Sequence, residues 1–198
     1  GGALLKALVK SNTLAASDTL LIEPDSGKRE SLVGETGCRA KASMDGEIAG
    51  TDCLLLAVKP QSATEVMPTL KPLLTGNPML ISVMAGVSMQ SLEEGLGLKK
   101  LVRVMPNTPA LVGEGMSLYF ASKAVNDEER EWIRKLFSSC GKCMEVEEED
   151  AIDAATAVSG SGPAYLFYLA EQMIEAAKNL GFQAEQAETV VKQTLKGA

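Results

Sequence analysis

The sequence predicts an α/β fold with a mostly parallel sheet, followed by an all-helical C-terminal domain. Short, unbroken apolar runs alternate with helix-like segments through the first 150 residues, which is the pattern of repeated βα units. Beyond that point only helix-like sequence follows. We therefore predict one domain at residues 1–150 and a second at residues 151–198.

The composition is that of a globular chain with an aliphatic core. Hydrophobic residues make up 45% of the sequence and aromatic residues only 4%, so Leu, Val, Ile, Ala and Met must fill the interior. The formal net charge is −7 without a basic patch, which argues against binding to nucleic acid or to an anionic membrane surface. The apolar run at residues 53–58 is too short to span a bilayer.

The four cysteines include one C-x-x-C pair, Cys140 and Cys143. This spacing is found in redox and metal-binding pairs, but the chain has no second pair and no histidine to complete a zinc site. We interpret both as ordinary thiols of a cytoplasmic protein and predict no metal. The absence of histidine also excludes an imidazole as a catalytic base.

The first unit of the chain predicts a helix, a strand and a second helix. Residues 1–11 have a helical pattern, residues 19–24 form a short apolar run ending in an acidic residue, and residues 26–37 form a helix. Gly37 is placed to cap the end of this second helix.

Three further apolar runs predict strands at residues 52–60, 79–86 and 101–106. Each is continuous rather than alternating, which is typical of strands buried on both faces of a parallel sheet. The best helix lies at residues 126–141, where Asn126 is an N-cap with Glu129 three residues on, and Gly141 ends the helix.

A dinucleotide-binding fold begins with a strand and a glycine-rich turn, and this chain lacks the strand and most of the turn. Gly1 takes the place of the last glycine of G-x-G-x-x-G, and Glu23 follows 22 positions later, close to the usual spacing of roughly 20 residues. We therefore expect a Rossmann-like domain and a fragment of a longer chain. The alternative is that the two glycines are an artificial extension before an ordinary helix.

Three stretches, in this order, are specific: AVKPQ (57–61), RVMPNTP (103–109) and SGSGPAYLFYLAEQM (159–173). With them the chain resembles the pyrroline-5-carboxylate reductase family over essentially its whole length. The resemblance implies reduction of 1-pyrroline-5-carboxylate to L-proline by hydride transfer from NADPH or NADH, the last step of proline biosynthesis. It also implies that the helical domain joins two subunits into a homodimer, alone or within a larger oligomer.

The resemblance implies which residues form the site. Val58 and Lys59 would contact the cofactor, Ala85 and Gly86 would lie along its pyrophosphate and nicotinamide ribose, and Asn107 would face its nicotinamide end. All of these lie where apolar runs stop, at the carboxyl ends of strands where open α/β sheets bind ligands. The complete predicted cofactor set is Gly1, Glu23, Pro24, Asp25, Val58, Lys59, Pro60, Ala85, Gly86 and Asn107.

The substrate side is less complete. Glu149 falls where the family has an acidic residue near bound proline. The family's later loop rich in Ser, Thr and Gly, which supplies most of the groups that hold the substrate, would follow Ala198. We therefore leave the catalytic residues unassigned and expect the C-terminal part to be missing.

The choice between NADPH and NADH depends on the end of the second strand. Glu23 favours ribose hydroxyls and repels a 2′-phosphate, whereas Lys28 and Arg29 follow within reach and can bind one. The family favours NADPH, with NADH as the alternative, and we expect use of both.

The glycine-serine stretch at residues 159–162 is not a phosphate loop, because it lacks G-K-[ST] and no strand leads into it. Pro163 suits the first turn of a helix, where its missing N–H costs nothing. We predict a tight elbow with free N–H groups, in which Ser161 and Gly162 form a wall of the substrate pocket.

The helix from Pro163 to Leu180 is apolar nearly all round, so most of its faces should be buried. The 48 residues after position 150 are too few to bury it within one chain, which predicts a dimer. The alternative function, a dehydrogenase of the β-hydroxyacid type, would need a catalytic lysine. The candidates in this domain are Lys178, Lys192 and Lys196.

Overall fold

A computed structural model describes all 198 residues and contains seven strands and eight α-helices. The strands are β1 (Leu20–Ile22), β2 (Arg39–Lys41), β3 (Cys53–Leu56), β4 (Met79–Ser82), β5 (Leu101–Met105), β6 (Gly115–Ala121) and β7 (Gly141–Glu145). The helices are α1 (Gly2–Lys10), α2 (Ser26–Thr36), α3 (Ala63–Leu70), α4 (Met89–Leu96), α5 (Asp127–Ser138), α6 (Asp150–Ala155), α7 (Gly162–Asn179) and α8 (Ala184–Gly197).

The strands form two sheets. Five of them pair in the order β3-β4-β5-β6-β7, and β1 pairs with β2 in a separate sheet. Every pairing is parallel except that of β5 with β6, so the prediction of a mostly parallel sheet is confirmed. Three strands were not predicted: β2, the antiparallel β6 and β7.

Helices cover both faces of the five-stranded sheet, because alternate strand residues enter different cores. Ile81 and Val102 pack with α1 and α5 on one face. Leu80 and Leu101 pack with α3 and α4 on the other. β4 and β5 are therefore buried on both faces, as their continuous apolar runs predicted.

β3 is less buried than β4 and β5. Leu56 is buried but Leu55 is 37% exposed, so the prediction of burial on both faces is not met at Leu55. In this structure β3 pairs only with β4.

Of three predicted helix ends, two are confirmed and one is wrong. Gly37 adopts a left-handed conformation, φ +70°, and caps α2. Asn126 and Glu129 form the capping box of α5. However, α5 ends at Ser138, and Gly141 begins β7 instead of ending the helix.

The C-x-x-C pair is divided between the core and β7. Cys140 is buried in the core, whereas Cys143 lies within β7 and is half-buried. Both are free thiols.

The C-terminal part is helical, as predicted. A π-helical turn, Thr156–Gly160, joins α6 to α7, and α7 packs on α8. Around its circumference α7 exposes a run of large apolar residues, listed here in chain order: Tyr165, Leu166, Phe167, Tyr168 and Leu169. None of the helices combines the length and the apolar character that a bilayer-spanning segment needs.

Candidate functional site

The predicted cofactor residues lie in loops at the carboxyl ends of strands. Since β3, β4 and β5 are mutually parallel, the loops that follow Leu56, Ser82 and Met105 meet at one edge of the sheet. The fourth loop follows β1 and begins at Glu23. This edge is where an open α/β sheet offers a binding crevice.

Gly1 and Gly2 allow α1 to approach its neighbours closely. A Cβ atom on Gly1 would lie 3.2 Å from the Cβ atom of Ala57, just after β3. A Cβ atom on Gly2 would lie 3.0 Å from Leu32 Cδ2 on α2. Gly1 therefore lets the N-terminus of α1, with its unpaired N–H groups, lie against the end of β3, and Gly2 lets α1 pack closely on α2.

The loop after β1 is held by its own side chains. Asp25 caps α2, because its Oδ1 accepts a hydrogen bond from Lys28 N at 2.8 Å. Glu23 Oε1 accepts one from Asp25 N at 3.1 Å. Arg29 Nη1 donates to the carbonyl oxygens of Glu23 at 2.7 Å and Pro24 at 3.1 Å. The Arg29 side chain therefore fixes this loop.

A cavity of about 300 Å³ opens between this loop and α1. Its polar lining consists of Glu23, Lys28, Lys6 and Ser31, beside Gly2. Lys28 therefore lies beside the cavity, whereas its neighbour Arg29 is occupied with the loop. The sequence did not indicate Lys6 or Ser31, which reach the cavity only because α1 and α2 pack side by side.

The loops after β3 and β4 differ in what they expose. Val58 is half-buried, and its side chain packs against the core under α3 and α4. Lys59 is exposed. Ala85 and Gly86 are also exposed, and Gly86 has φ +71°, a conformation that favours glycine.

Both ends of the side-chain amide of Asn107 make a hydrogen bond. Its Oδ1 accepts a hydrogen bond from Met116 N at 2.8 Å, and its Nδ2 donates to Ser159 O at 3.1 Å. Asn107 thus joins the loop after β5 to β6 and to the π-helical turn.

Glu149 is also engaged. Its Oε1 accepts hydrogen bonds from Arg103 Nη1 at 2.6 Å and from Met89 N at 2.7 Å. Asp153, one turn further along α6, accepts one from Arg103 Nη2 at 2.9 Å. Sequence reasoning missed Arg103, although a charged residue inside the apolar run LVRVM was a visible signal.

The predicted elbow at residues 159–162 is wrong. The backbone continues in helical conformation through the π-helical turn, and Ser161 N donates to Thr156 O at 2.8 Å instead of remaining free. A Cβ atom on Gly160 would lie 2.9 Å from Met105 Cε, so this glycine permits close packing against the end of β5. Ser161 and Gly162 therefore lie near that strand end, but within a helix.

Two family descriptions match the chain. Residues 1–86 match the family described as NADP oxidoreductase, coenzyme F420-dependent. Residues 149–198 match the family described as pyrroline-5-carboxylate reductase dimerisation.

Curated relatives cover nearly the whole chain. The pyrroline-5-carboxylate reductase of Pseudomonas aeruginosa is 36% identical over 191 residues, which is 96% of this chain and 70% of the relative. That of Pisum sativum is 32% identical over 195 residues, 98% of this chain and 71% of the relative.

Solved structures agree. The pyrroline-5-carboxylate reductase of Coxiella burnetii superposes with a TM-score of 0.87 at 30% identity, covering 100% of this chain and 74% of that one. The Plasmodium falciparum enzyme, solved with NADP bound, gives 0.86 at 35% identity, covering 100% and 72%. With the strand-end loops and the helical C-terminal part, these likenesses establish that the chain belongs to the pyrroline-5-carboxylate reductase family.

Proposed function

We propose that this chain reduces 1-pyrroline-5-carboxylate to L-proline with NADPH. The observation that carries the proposal is that relatives at 32–36% identity, all pyrroline-5-carboxylate reductases, match both the nucleotide-binding part and the helical part. When bound, the nicotinamide ring supplies the hydride. The protein therefore has to bind and orient the cofactor and the substrate, and to exclude water.

The cavity beside α1 fits the adenosine end of the cofactor. It combines Glu23, whose carboxylate can accept hydrogen bonds from ribose, with Lys28, which can meet a phosphate, next to the glycine-lined start of a helix. Lys6 and Ser31 also line the cavity, but both side chains pair with Glu35. We assign Gly1, Glu23, Pro24 and Asp25 to this end.

The loops after β3, β4 and β5 are assigned to the pyrophosphate and nicotinamide end. Lys59, Pro60, Ala85 and Gly86 form two of these loops, and Val58 and Asn107 contribute through backbone atoms, since their side chains are engaged elsewhere. Glu149, Ser161 and Gly162 remain predicted substrate-side residues. The catalytic residues remain unassigned.

The choice of cofactor has a direct test at Lys28. Because Lys28 lines the cavity and Arg29 is occupied, Lys28→Ala should raise the KM for NADPH several-fold and leave the KM for NADH nearly unchanged. Lys10→Ala, at the exposed far end of α1, is the matched control. An equal rise of the KM values for NADPH and NADH would show that Lys28 does not recognise the 2′-phosphate.

We further propose that residues 1–150 and 151–198 act as separate domains and that the second joins two chains into a homodimer. The match of residues 149–198 to a dimerisation family supports this. A cytoplasmic location is part of the proposal, and cell fractionation tests it.

The alternative β-hydroxyacid chemistry has little support in the helical domain. Lys178 and Lys192 pair with Glu175 and Glu188 on their own helices, and Lys196 is exposed. The likeness to prephenate dehydrogenase from Aquifex aeolicus, with a TM-score of 0.65 at 15% identity, shows a shared fold and does not support the alternative chemistry.

The activity test follows absorbance at 340 nm with the purified chain. Oxidation of NADPH that depends on added 1-pyrroline-5-carboxylate, with proline as the product, is expected. Turnover of a β-hydroxyacid with NADP⁺, without reduction of the imine, would favour the alternative instead.

A further inference from the structure

A buried cation lies in the middle of the five-stranded sheet. Arg103 is in β5, between Ser82 of β4 and Phe120 of β6, and its side chain is only 3% exposed. A charged group in such a place is unfavourable unless other groups pair with it closely.

Its partners all belong to the segment that begins the helical part. Glu149 immediately precedes α6 and Asp153 lies one turn later, so the guanidinium contacts two carboxylates on the same side of that helix. The Nε of Arg103 is buried without any hydrogen-bond partner. Two nitrogens of the guanidinium therefore contact the start of α6, and the third nitrogen, Nε, has no partner.

The same carboxylate reaches a third element. Glu149 Oε1, which accepts from Arg103 Nη1, also accepts from Met89 N in the first turn of α4. That helix follows the loop that contains Ala85 and Gly86. One carboxylate oxygen therefore connects β5, the start of α4 and the start of α6.

We infer that Arg103 is a positioning residue for hydride transfer, acting through Glu149 and Asp153. It fixes the direction in which α6, and through the π-helical turn Ser161 and Gly162, leave the sheet. The loops assigned to the nicotinamide follow β4 and β5, so this direction sets the distance between substrate and cofactor. An error of about 1 Å in such a distance can cost roughly 100-fold in rate. The inference rests on the proposed function.

The test compares Arg103→Gln with Arg130→Gln. Arg130 is also a paired, largely buried arginine, but it pairs with Glu145 between α5 and β7, away from this junction. We expect Arg103→Gln to lower kcat at least tenfold while the KM for NADPH stays within threefold. Arg130→Gln should keep kcat within threefold of wild type, even if its melting temperature falls as much as that of Arg103→Gln.

Two further variants keep the result interpretable. Asp153→Asn is mild, since the Asp153 side chain is 56% exposed, and should fold while lowering kcat about threefold to tenfold. Arg103→Lys retains the charge but cannot reach both carboxylates, so it should recover kcat only in part.

A second readout does not depend on turnover. Amide hydrogen exchange of residues 83–89 and 149–160 should become faster in Arg103→Gln and Asp153→Asn, and stay unchanged in Arg130→Gln. Equal kcat losses at Arg103 and Arg130, or unchanged exchange in these two segments, would overturn the inference. A wild-type chain without reductase activity would instead contradict the proposed function, and hydrogen exchange would still decide the role of Arg103.

Discussion

The Asn107 side chain satisfies a carbonyl group that Pro163 cannot pair. Proline has no N–H, so the carbonyl four residues earlier, that of Ser159, loses its usual helical donor. Asn107 Nδ2 donates to that oxygen at 3.1 Å. The proline at the start of α7 and the asparagine after β5 are therefore coupled, although they are far apart in the sequence.

This coupling predicts a non-additive pair of substitutions. Asn107→Ala should destabilise the protein by ~1–2 kcal/mol, because it leaves Ser159 O and Met116 N unpaired. In a Pro163→Ala background the loss should be smaller, since the new N–H can pair with Ser159 O. Urea unfolding of the four proteins in this cycle measures the difference, and equal losses in both backgrounds would refute the coupling.

Two thiols are predicted to be unreactive at neutral pH. Burial raises the pKa of Cys143 to about 11, with Arg134 opposing the shift. Burial raises the pKa of Cys53 to about 12, aided by Asp52 and Glu129. Only the thiolate attacks alkylating agents, and it is the minor form at every pH below these values.

The rate of iodoacetamide labelling at both cysteines should therefore rise about tenfold per pH unit between pH 7 and 9. Mass spectrometry of timed samples gives the rates, with glutathione as the reference thiol. Labelling of Cys143 as fast as glutathione at pH 7 would mean that the C-x-x-C pair is reactive after all.

Among the elements, the contact between the starts of β6 and β7 is the most demanding. Gly141 has φ +138°, and a Cβ atom there would lie 2.0 Å from the carbonyl oxygen of Gly115. Neither the backbone conformation nor the space admits a side chain. Gly141 therefore lets a parallel strand pair begin immediately after α5.

Gly141→Ala should accordingly destabilise the protein by about 3 kcal/mol, through both strain and the clash with Gly115. The matched control is Gly34→Ala in α2, where a Cβ atom meets nothing within 4 Å. This change should stabilise the protein by ~0.5–1 kcal/mol, because alanine is the better helix former. Thermal unfolding of both variants checks the pair, and equal melting temperatures would contradict it.

Elements with local signals were predictable, and elements defined by distant contacts were not. The capping box of α5 and the apolar runs of β4 and β5 could be recognised within a few residues. β6 was missed although apolar side chains point to both of its faces, as in β4 and β5, with Tyr119 buried and Phe120 half-buried. Its antiparallel direction depends on pairing with β5 and has no local signal. The elbow prediction failed because the low helix propensity of Ser and Gly was overridden by Asn107 and by packing against Met105.

The same division holds for the site. The strand-end loops followed from where apolar runs stop. That Arg103 meets Glu149 and Asp153 depends on where α6 lies on the sheet, and those contacts join residues 46 and 50 positions apart. The pairing of Asn107 with Ser159 spans 52 positions and was equally invisible in the sequence.

At the scale of the whole molecule, the helical part exposes more apolar surface than a monomer would keep. Tyr165, Leu166, Phe167 and Tyr168 are each more than 60% exposed, although they are consecutive in α7. A contiguous patch of this kind marks an interaction surface. The match of this segment to a dimerisation family supports the proposal that the partner is a second copy of the chain.

Two charged substitutions separate assembly from folding. Leu166→Glu places a carboxylate in the proposed interface and should convert the dimer into a monomer of 20.9 kDa. The side chain is 61% exposed in the single chain, so the fold should survive, and helix content by circular dichroism should change little.

Val112→Glu, at a 76% exposed apolar residue outside the helical part, is the matched control and should leave the dimer intact. Sedimentation velocity at several concentrations measures both. A monomeric wild type, or a Leu166→Glu variant that dimerises as tightly as the control, would show that α7 is not the surface that joins the subunits.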